Sequence, residues 1–213
     1  MKIKWLGHAT FLITSDSGIR IITDPYDTVQ GLHYEKIEEP ADVVTVSHDH
    51  FDHANVAAVK GKPQVVRGTA EVGGIKFKGV STYHDTSTGS QRGNNVMFCF
   101  EVDGVNVCHV GDLGHQLSDA QVAELGKVDV LLIPVGGFFT IDARVASQLC
   151  DRIKPRVIIP MHYKNDKCDF PIAGVEEFLK GKDNVIRLDS SEIDIKSGEL
   201  PAGTQIMVLK SAK

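Results

Sequence analysis

The sequence of 213 residues has no apolar run long enough to cross a bilayer and no closely spaced pair of cysteines. Its longest apolar stretches have the length of β-strands, whereas a transmembrane helix needs roughly 20 apolar residues. Residues 1–14 lack the apolar core and the cleavage site of a signal peptide. The four cysteines form no CxxC pair, which excludes a disulfide framework. We therefore expect a cytoplasmic protein that does not contact membranes.

A surplus of basic residues is also absent, since the formal net charge is −5. An acidic balance without a basic stripe argues against a nucleic-acid partner and favours a small-molecule substrate. The composition is typical of a soluble globular protein, and we expect a single domain over residues 1–213. The sequence also allows a homo-oligomer, because Phe138 and Phe139 could form either an interface between copies or a wall of a substrate site.

The apolar pattern changes its character along the chain. The first half predicts strands at residues 2–6, 11–14, 19–23, 43–47, 64–67, 75–83, 96–102 and 105–110, with one short helix near 55–60. In the second half, helices at 118–125, 141–153 and 174–179 alternate with strands at 128–134 and 156–160, and a last strand covers 206–209. This order predicts an α/β sandwich of two sheets with helices outside.

The segment Ser47-His48-Asp49-His50-Phe51-Asp52-His53 is the most informative part of the sequence. It places three histidines and two aspartates within six residues, directly after a predicted buried strand. Imidazole nitrogens and carboxylate oxygens are the ligands that a divalent metal such as zinc prefers. In a tight loop, His48 and His50 can point one way while Asp52 and His53 point the other. The segment therefore predicts metal binding, against the alternative of a solvated polar loop.

The pattern His-x-His-x-Asp-His after an apolar strand resembles the signature of the metallo-β-lactamase superfamily. Further motifs of that family are present along the chain in its usual order. They are Thr23-Asp24-Pro25 before this pattern, and Tyr83-His84, Gly111-Asp112 and Met161-His162-Tyr163 after it. Residues 109–115 and 134–142 resemble small stand-alone hydrolases near the ascorbate-phosphate lactonase branch. The resemblance covers essentially the whole chain. It implies a four-layer αββα sandwich with mixed sheets and a metal site at one edge.

The resemblance also implies a ligand set for two divalent metal ions. We take zinc as the first choice and manganese or iron as alternatives, because ligand type alone discriminates poorly between them. The implied ligands are His48, His50 and His84 for one ion, Asp52, His53 and His162 for the other, and Asp112 as a bridge.

Other residues are candidates for the chemistry around these ions. Asp52 could orient a metal-bound hydroxide and accept its proton, while His115 could shuttle a proton to the leaving group. Arg92 could bind a phosphate or carboxylate of the substrate, and Tyr163 could donate its hydroxyl to developing negative charge. The plainer alternatives are an exposed loop arginine and a packed tyrosine.

Two residues early in the chain are candidates for support of the ligands. Asp24 could orient a ligand histidine through the ring nitrogen that does not face the metal, or could simply begin a turn before Pro25. His8 could lie at the floor of the site, or could be a turn histidine bonded to backbone.

Three functions are compatible with this pattern. The first is a metal-dependent hydrolase that cleaves a small ester, lactone or phosphate ester with a metal-bound hydroxide. The second is a nuclease or phosphodiesterase acting on nucleic acid or nucleotides, which the acidic charge disfavours. The third is a non-catalytic metal-binding protein.

Overall fold

A computed structural model describes residues 1–213, which form fourteen strands and three α-helices. The first sheet contains β1 (Lys2–Gly7), β2 (Thr10–Thr14), β3 (Arg20–Thr23), β4 (Val43–Thr45), β5 (Gln64–Val66) and, much later in the chain, β13 (Glu192–Asp194). Its strand order is β13-β1-β2-β3-β4-β5. The pairs around β1 and β2 are antiparallel, whereas β3, β4 and β5 run parallel.

The second sheet has eight strands and is built from the middle and the end of the chain. Its members are β6 (Ala70–Val72), β7 (Ile75–Tyr83), β8 (Asn94–Val102), β9 (Val105–His109), β10 (Val130–Pro134), β11 (Val157–Met161), β12 (Val185–Arg187) and β14 (Gln205–Val208). The order is β12-β14-β11-β10-β9-β8-β7-β6. Strands β6, β7, β8 and β9 pair with one another in sequence as antiparallel hairpins. The pairs from β9 through β10, β11 and β14 to β12 are parallel.

The helices are α1 (Asp119–Leu125), α2 (Ala143–Ile153) and α3 (Val175–Leu179). Ser118 and Gln121 form a reciprocal capping box at the start of α1, and Asp142 caps α2 by accepting from the Val145 N–H. Helices α2 and α3 pack against each other, and α1 contacts β7. None of the helices is long and apolar enough to span a membrane.

The main core lies between the two sheets. Trp5, Phe11 and Ile13 of the first sheet belong to the same apolar cluster as Phe98 and Val107 of the second sheet. Strand residues alternate between faces, so Ile21 and Val43 enter this cluster while their neighbours Ile22 and Val44 face the opposite side. The predicted sandwich of two mixed sheets is confirmed.

The outer face of the first sheet is covered differently from the helical layer that the resemblance implied. Its apolar side chains pack on Tyr26, Leu32, Tyr34 and Ile37, which lie on an irregular segment between β3 and β4. The helix predicted near residues 55–60 is only a 3₁₀ turn at Val56–Ala58. Short strands β6, β12 and β13 were not predicted, because three polar or mixed residues carry no strand periodicity.

Candidate metal centre

Six strands deliver one or more polar side chains to the same edge of the sandwich. His8 follows β1, Asp24 follows β3, residues 47–53 follow β4, His84 follows β7, Asp112 follows β9, and His162 follows β11. Since these side chains are fixed by strand ends, their geometry is more rigid than that of a loop site. His8, Asp24 and His162 have φ values of 50°, 40° and 50°, so the backbone turns sharply where each strand ends. Left-handed conformations of this kind concentrate at functional sites.

The first group of possible ligands consists of His48, His50 and His84, whose donor atoms lie within 4.8 Å of one another. The Nε2 atom of His48 is 3.0 Å from Nδ1 of His50. His48 and His84 are buried, and His50 is the more exposed member.

The second group consists of His8, Asp52, His53 and His162, whose donor atoms are also within 4.8 Å of one another. All four side chains are buried. His8 was expected only as support for the ligands, yet its ring centroid lies 4.0 Å from that of His162.

Asp112 lies between the two groups. Its Oδ2 atom is 3.1 Å from Nε2 of His53, 3.3 Å from Nε2 of His84 and of His162, and 3.9 Å from Nε2 of His48. Gly111 brings Asp112 to this position with a φ of 60°, and a Cβ there would lie 2.3 Å from Oδ1 of Asn95. The same Asn95 oxygen accepts the Asp112 N–H at 2.9 Å.

The hydrogen bonds within this cluster leave buried donor atoms unpaired, and these atoms suit a metal ion. His53 Nε2 lies 3.1 Å from Asp112 Oδ2 but is not aligned for a hydrogen bond to it, and Asp112 Oδ1 is buried without a hydrogen-bond partner. Buried polar atoms are rarely left unpaired, and each such atom calls for an unplaced partner. Imidazole and carboxylate donors are the ligands that zinc, manganese and iron accept. A divalent cation would satisfy both atoms.

Burial and neighbouring charges control the protonation of the cluster. Burial and the nearby His53 lower the pKa of His48 to about 3, and burial also lowers the pKa of His84. Both rings are therefore neutral and able to bind a cation at physiological pH. Burial disfavours the charged form of Asp112, but His162 and His53 outweigh it and hold its pKa well below the usual value. The opposite holds for His53, whose pKa is raised because Asp112 and Asp52 outweigh burial.

Asp24 contacts the back of the cluster. Its Oδ2 atom is 2.9 Å from Nδ1 of His53 and accepts the Ser47 hydroxyl at 2.5 Å, while Oδ1 accepts the Ser47 N–H at 2.8 Å. A carboxylate on Nδ1 fixes the tautomer of His53 and directs Nε2 toward the metal position. This is the contact that the orienting role expected for Asp24 requires.

His8 contacts a possible ligand rather than backbone. Its Nε2 atom is 3.1 Å from Oδ2 of Asp52, and its ring edge faces Phe170 at a centroid distance of 5.7 Å. Burial and the neighbouring His162 lower the pKa of His8 to about 4. A neutral His8 can therefore donate one hydrogen bond to Asp52.

A cavity of about 430 Å³ opens above the cluster. His50, Asp52, His84, Asp112 and His162 line its floor. Its walls are formed by Gln30, Asp49, Phe51, Arg92, Phe139 and Phe170.

Arg92 reaches this cavity because an aspartate organises its loop. Asp85 accepts four backbone N–H groups, those of Ser87, Gly89, Gln91 and Arg92, at 2.7 to 3.0 Å. Burial opposes its ionisation, but these four donors outweigh burial and lower the pKa of Asp85 to about 2. Asp85 was missed in the sequence, since an aspartate beside a ligand histidine carries no separate signal.

The structure does not bring His115 or Tyr163 to the cavity. Nε2 of His115 accepts the Tyr83 N–H at 3.2 Å, and its Nδ1 lies 2.8 Å from the carbonyl of Gln116. This side chain lines a separate surface cavity beside α2. Tyr163 is buried with its ring 5.3 Å from that of Trp5. Neither placement fits the proton-shuttle and substrate-binding roles expected from the sequence.

Comparisons with known proteins agree with this geometry. A family model described as a beta-lactamase superfamily domain matches residues 2–162. A UPF0173 metal-dependent hydrolase from Thermococcus onnurineus is 33% identical over 91% of this chain and 98% of its own, and one from Archaeoglobus fulgidus is 30% identical over 93% and 97%. A crystal structure from Thermotoga maritima, described as a Zn-dependent hydrolase of the metallo-β-lactamase superfamily, has a TM-score of 0.80. It is 40% identical and covers 98% of this chain and 97% of its own.

Proposed function

Because this chain belongs to the metallo-β-lactamase superfamily and is a metal-dependent hydrolase, we propose that it cleaves a small ester, lactone or phosphate ester. The observation that carries the proposal is the position of Asp112 between two groups of buried donors at the floor of an open cavity. A substrate in this cavity would place its reacting bond directly against the donors.

We assign two divalent ions to the site, with zinc as first choice and manganese or iron as alternatives. His48, His50 and His84 would hold one ion, and Asp52, His53 and His162 the other. Asp112 would contact both, since its Oδ2 is 3.1 to 3.3 Å from histidines of each group.

When bound, such ions supply a hydroxide nucleophile at neutral pH and polarise the carbonyl or phosphoryl oxygen of the substrate. Asp52 would orient the nucleophile as a hydrogen-bond acceptor and accept its proton in the reaction. Its Oδ2 is bonded to His8, whereas Oδ1 makes no hydrogen bond and is free for this role. Burial disfavours ionisation of Asp52, but His53 and His8 outweigh it and keep its pKa below the usual range. Water supplies the leaving-group proton, because His115 lies outside the cavity.

Hydrolysis of a substrate panel tests this proposal. We would assay the zinc-loaded and manganese-loaded protein against generic esters, lactones, phosphomonoesters and phosphodiesters, with Asp52→Asn as the variant that retains size but loses the base. The proposal predicts turnover of one class and a loss of about 10²-fold or more in Asp52→Asn, assayed at metal concentrations that saturate both sites of the variant, because Asp52 is also a ligand. Full activity in Asp52→Asn would remove the proton role, and turnover confined to oligonucleotides would establish a nuclease instead.

A further inference from the structure

The guanidinium of Arg92 has no acidic partner in the structure. It lies over the ring of Phe139, 4.6 Å from the centroid, at the wall of the cavity. Asp49 is the one carboxylate on the cavity wall, and its oxygen is bonded to Arg67. The carboxylates at the floor, Asp52 and Asp112, make their close contacts with histidines, so Arg92 has no ion-pair partner in the cavity.

Stacking on a ring leaves the chemistry of a guanidinium intact. Its five N–H donors lie in the plane of the group, so the contact with the face of Phe139 uses none of them. These donors match the spacing of two oxygens of one carboxylate or phosphate. The hydrogen bonds from the loop backbone to Asp85 also fix the Arg92 main chain before any ligand arrives.

The second feature of the cavity is an aromatic wall formed by Phe51, Phe139 and Phe170. The ring centroids of Phe51 and Phe170 are 6.4 Å apart, and those of Phe139 and Phe170 are 5.7 Å apart, both in edge-to-face geometry. All three side chains are only partly buried and line the cavity. Partly exposed rings in a concave site favour an apolar ligand surface, since binding removes the rings and the ligand from water.

From these two features we propose that the substrate is an anion with an apolar, ring-sized portion. A carboxylate or phosphate group of the substrate binds the in-plane donors of Arg92, and the apolar portion lies against the aromatic wall. The scissile bond then faces the metal centre at the floor of the cavity. This assignment rests on the proposed function for the position of the reacting bond, but the binding site itself is independent of turnover.

The experiment compares matched ligands by calorimetric titration of the metal-loaded protein. Phenylacetate and phenylacetamide differ in charge at nearly equal shape, phenylphosphonate supplies the phosphate-like anion, and acetate lacks the ring. We expect the protein to bind each aryl anion at least about 10-fold more tightly than phenylacetamide, and phenylacetate at least about 10-fold more tightly than acetate. The ratio of the two aryl anions decides between a carboxylate and a phosphate substrate.

Variants separate Arg92 from the metal ions, which also attract anions. Arg92→Gln should lower the affinity for both aryl anions about 10-fold and the affinity for phenylacetamide by less than about twofold, because only an anion can form the charge-assisted contact through two oxygens. Arg92→Lys should recover part of the loss, since a lysine keeps the charge but not the planar donors. Phe170→Ala should reduce the preference for phenylacetate over acetate. Arg144→Gln on the exposed face of α2 is the control and should change nothing.

Circular dichroism and metal content establish that each variant is folded and loaded. Equal effects of Arg92→Gln on the anions and the amide, or no effect on either, would overturn the assignment. If the anion preference is present and depends on Arg92 but no ester, lactone or phosphate ester is cleaved, the proposed function fails and the binding site stands. If a substrate is cleaved but the preference for anions is absent, the binding site proposed for Arg92 fails and the proposed function stands.

Discussion

Oδ2 of Asp24 lies 2.9 Å from Nδ1 of His53, and both side chains are completely buried. The contact directs the other nitrogen of His53 toward Asp112 and the metal position. We expect Asp24→Asn to lower the affinity for the ion held by His53 by about 10- to 100-fold, because it removes the charge that orients the ring. Competition with a coloured chelator measures this affinity. Ser47→Ala is the control for the ion at His53, since its hydroxyl contacts the same carboxylate and Nδ1 of His48 while the bond from Asp24 to His53 remains. Equal losses in both variants would contradict an orienting role for Asp24.

His8 supports Asp52 in a similar way. We expect His8→Ala to lower kcat by about 10-fold or more, because Asp52 loses the hydrogen-bond donor to its Oδ2. The variant should also bind the ion assigned to Asp52, His53 and His162 more weakly. The ion held by His48, His50 and His84 should remain, so metal content should fall toward one per chain. Titration of the metal-depleted variant with zinc shows both steps. Two sites of wild-type affinity and unchanged kcat would show that His8 only fills space.

Gly114, two residues after Asp112, packs against the main chain of His84 and Asp85 at the end of β7. A Cβ at this position would lie 2.2 Å from the carbonyl carbon of His84 and 2.3 Å from the Asp85 nitrogen. We therefore expect Gly114→Ala to lower the free energy of unfolding by roughly 1–3 kcal/mol and to weaken metal binding, because His84 must move away from Asp112. Chemical denaturation with and without metal measures both effects. Gly203→Ala, where a Cβ meets no atom within 4 Å, is the control. Wild-type stability and affinity in Gly114→Ala would rule out the steric coupling.

The pH dependence of stability has a contribution far from the metal centre. Burial disfavours the ionised form of Asp129, but hydrogen bonds from the main chain and side chain of Asn106, with Lys127, outweigh it and lower its pKa. A carboxylate with a lowered pKa in the folded state stabilises the fold above about pH 4, and that contribution disappears as the pH falls through the folded pKa. Asp129→Asn should lower the free energy of unfolding by roughly 1.5–3 kcal/mol at pH 7 and by less at acidic pH. A pH-independent difference between the two proteins would contradict this assignment.

Much of the cluster could be predicted because its candidate ligands follow strand ends and lie close together in the sequence. The apolar runs before His48, His84, Asp112 and His162 are recognisable, and the C-terminal ends of parallel strands meet at one edge of a sheet. His115 was misplaced for a local reason. Gly114 donates to the Tyr83 carbonyl, so the chain turns under the end of β7 and directs the His115 ring onto the Tyr83 N–H. Spacing of three residues from Asp112 carries no information about this turn.

Tyr163 and the aromatic wall illustrate the same limit. His162 has a φ of 50°, which redirects the backbone and places the next ring against Trp5. Phe170 reaches the cavity from a segment that precedes α3, and only tertiary packing brings it beside Phe139. Asp85 likewise acts through backbone N–H groups that converge only after its loop has closed. Contacts of this kind leave no periodic signal in the sequence.

We propose that Asp112 is shared by two ions. Inductively coupled plasma mass spectrometry measures the metal content of the zinc-loaded protein, with His84→Ala and Asp112→Asn prepared in parallel. We expect two ions per chain in the wild type, one in His84→Ala, and weakened binding of both ions in Asp112→Asn. A single ion per chain in the wild type at saturating zinc, or one that Asp112→Asn leaves unchanged, would contradict it.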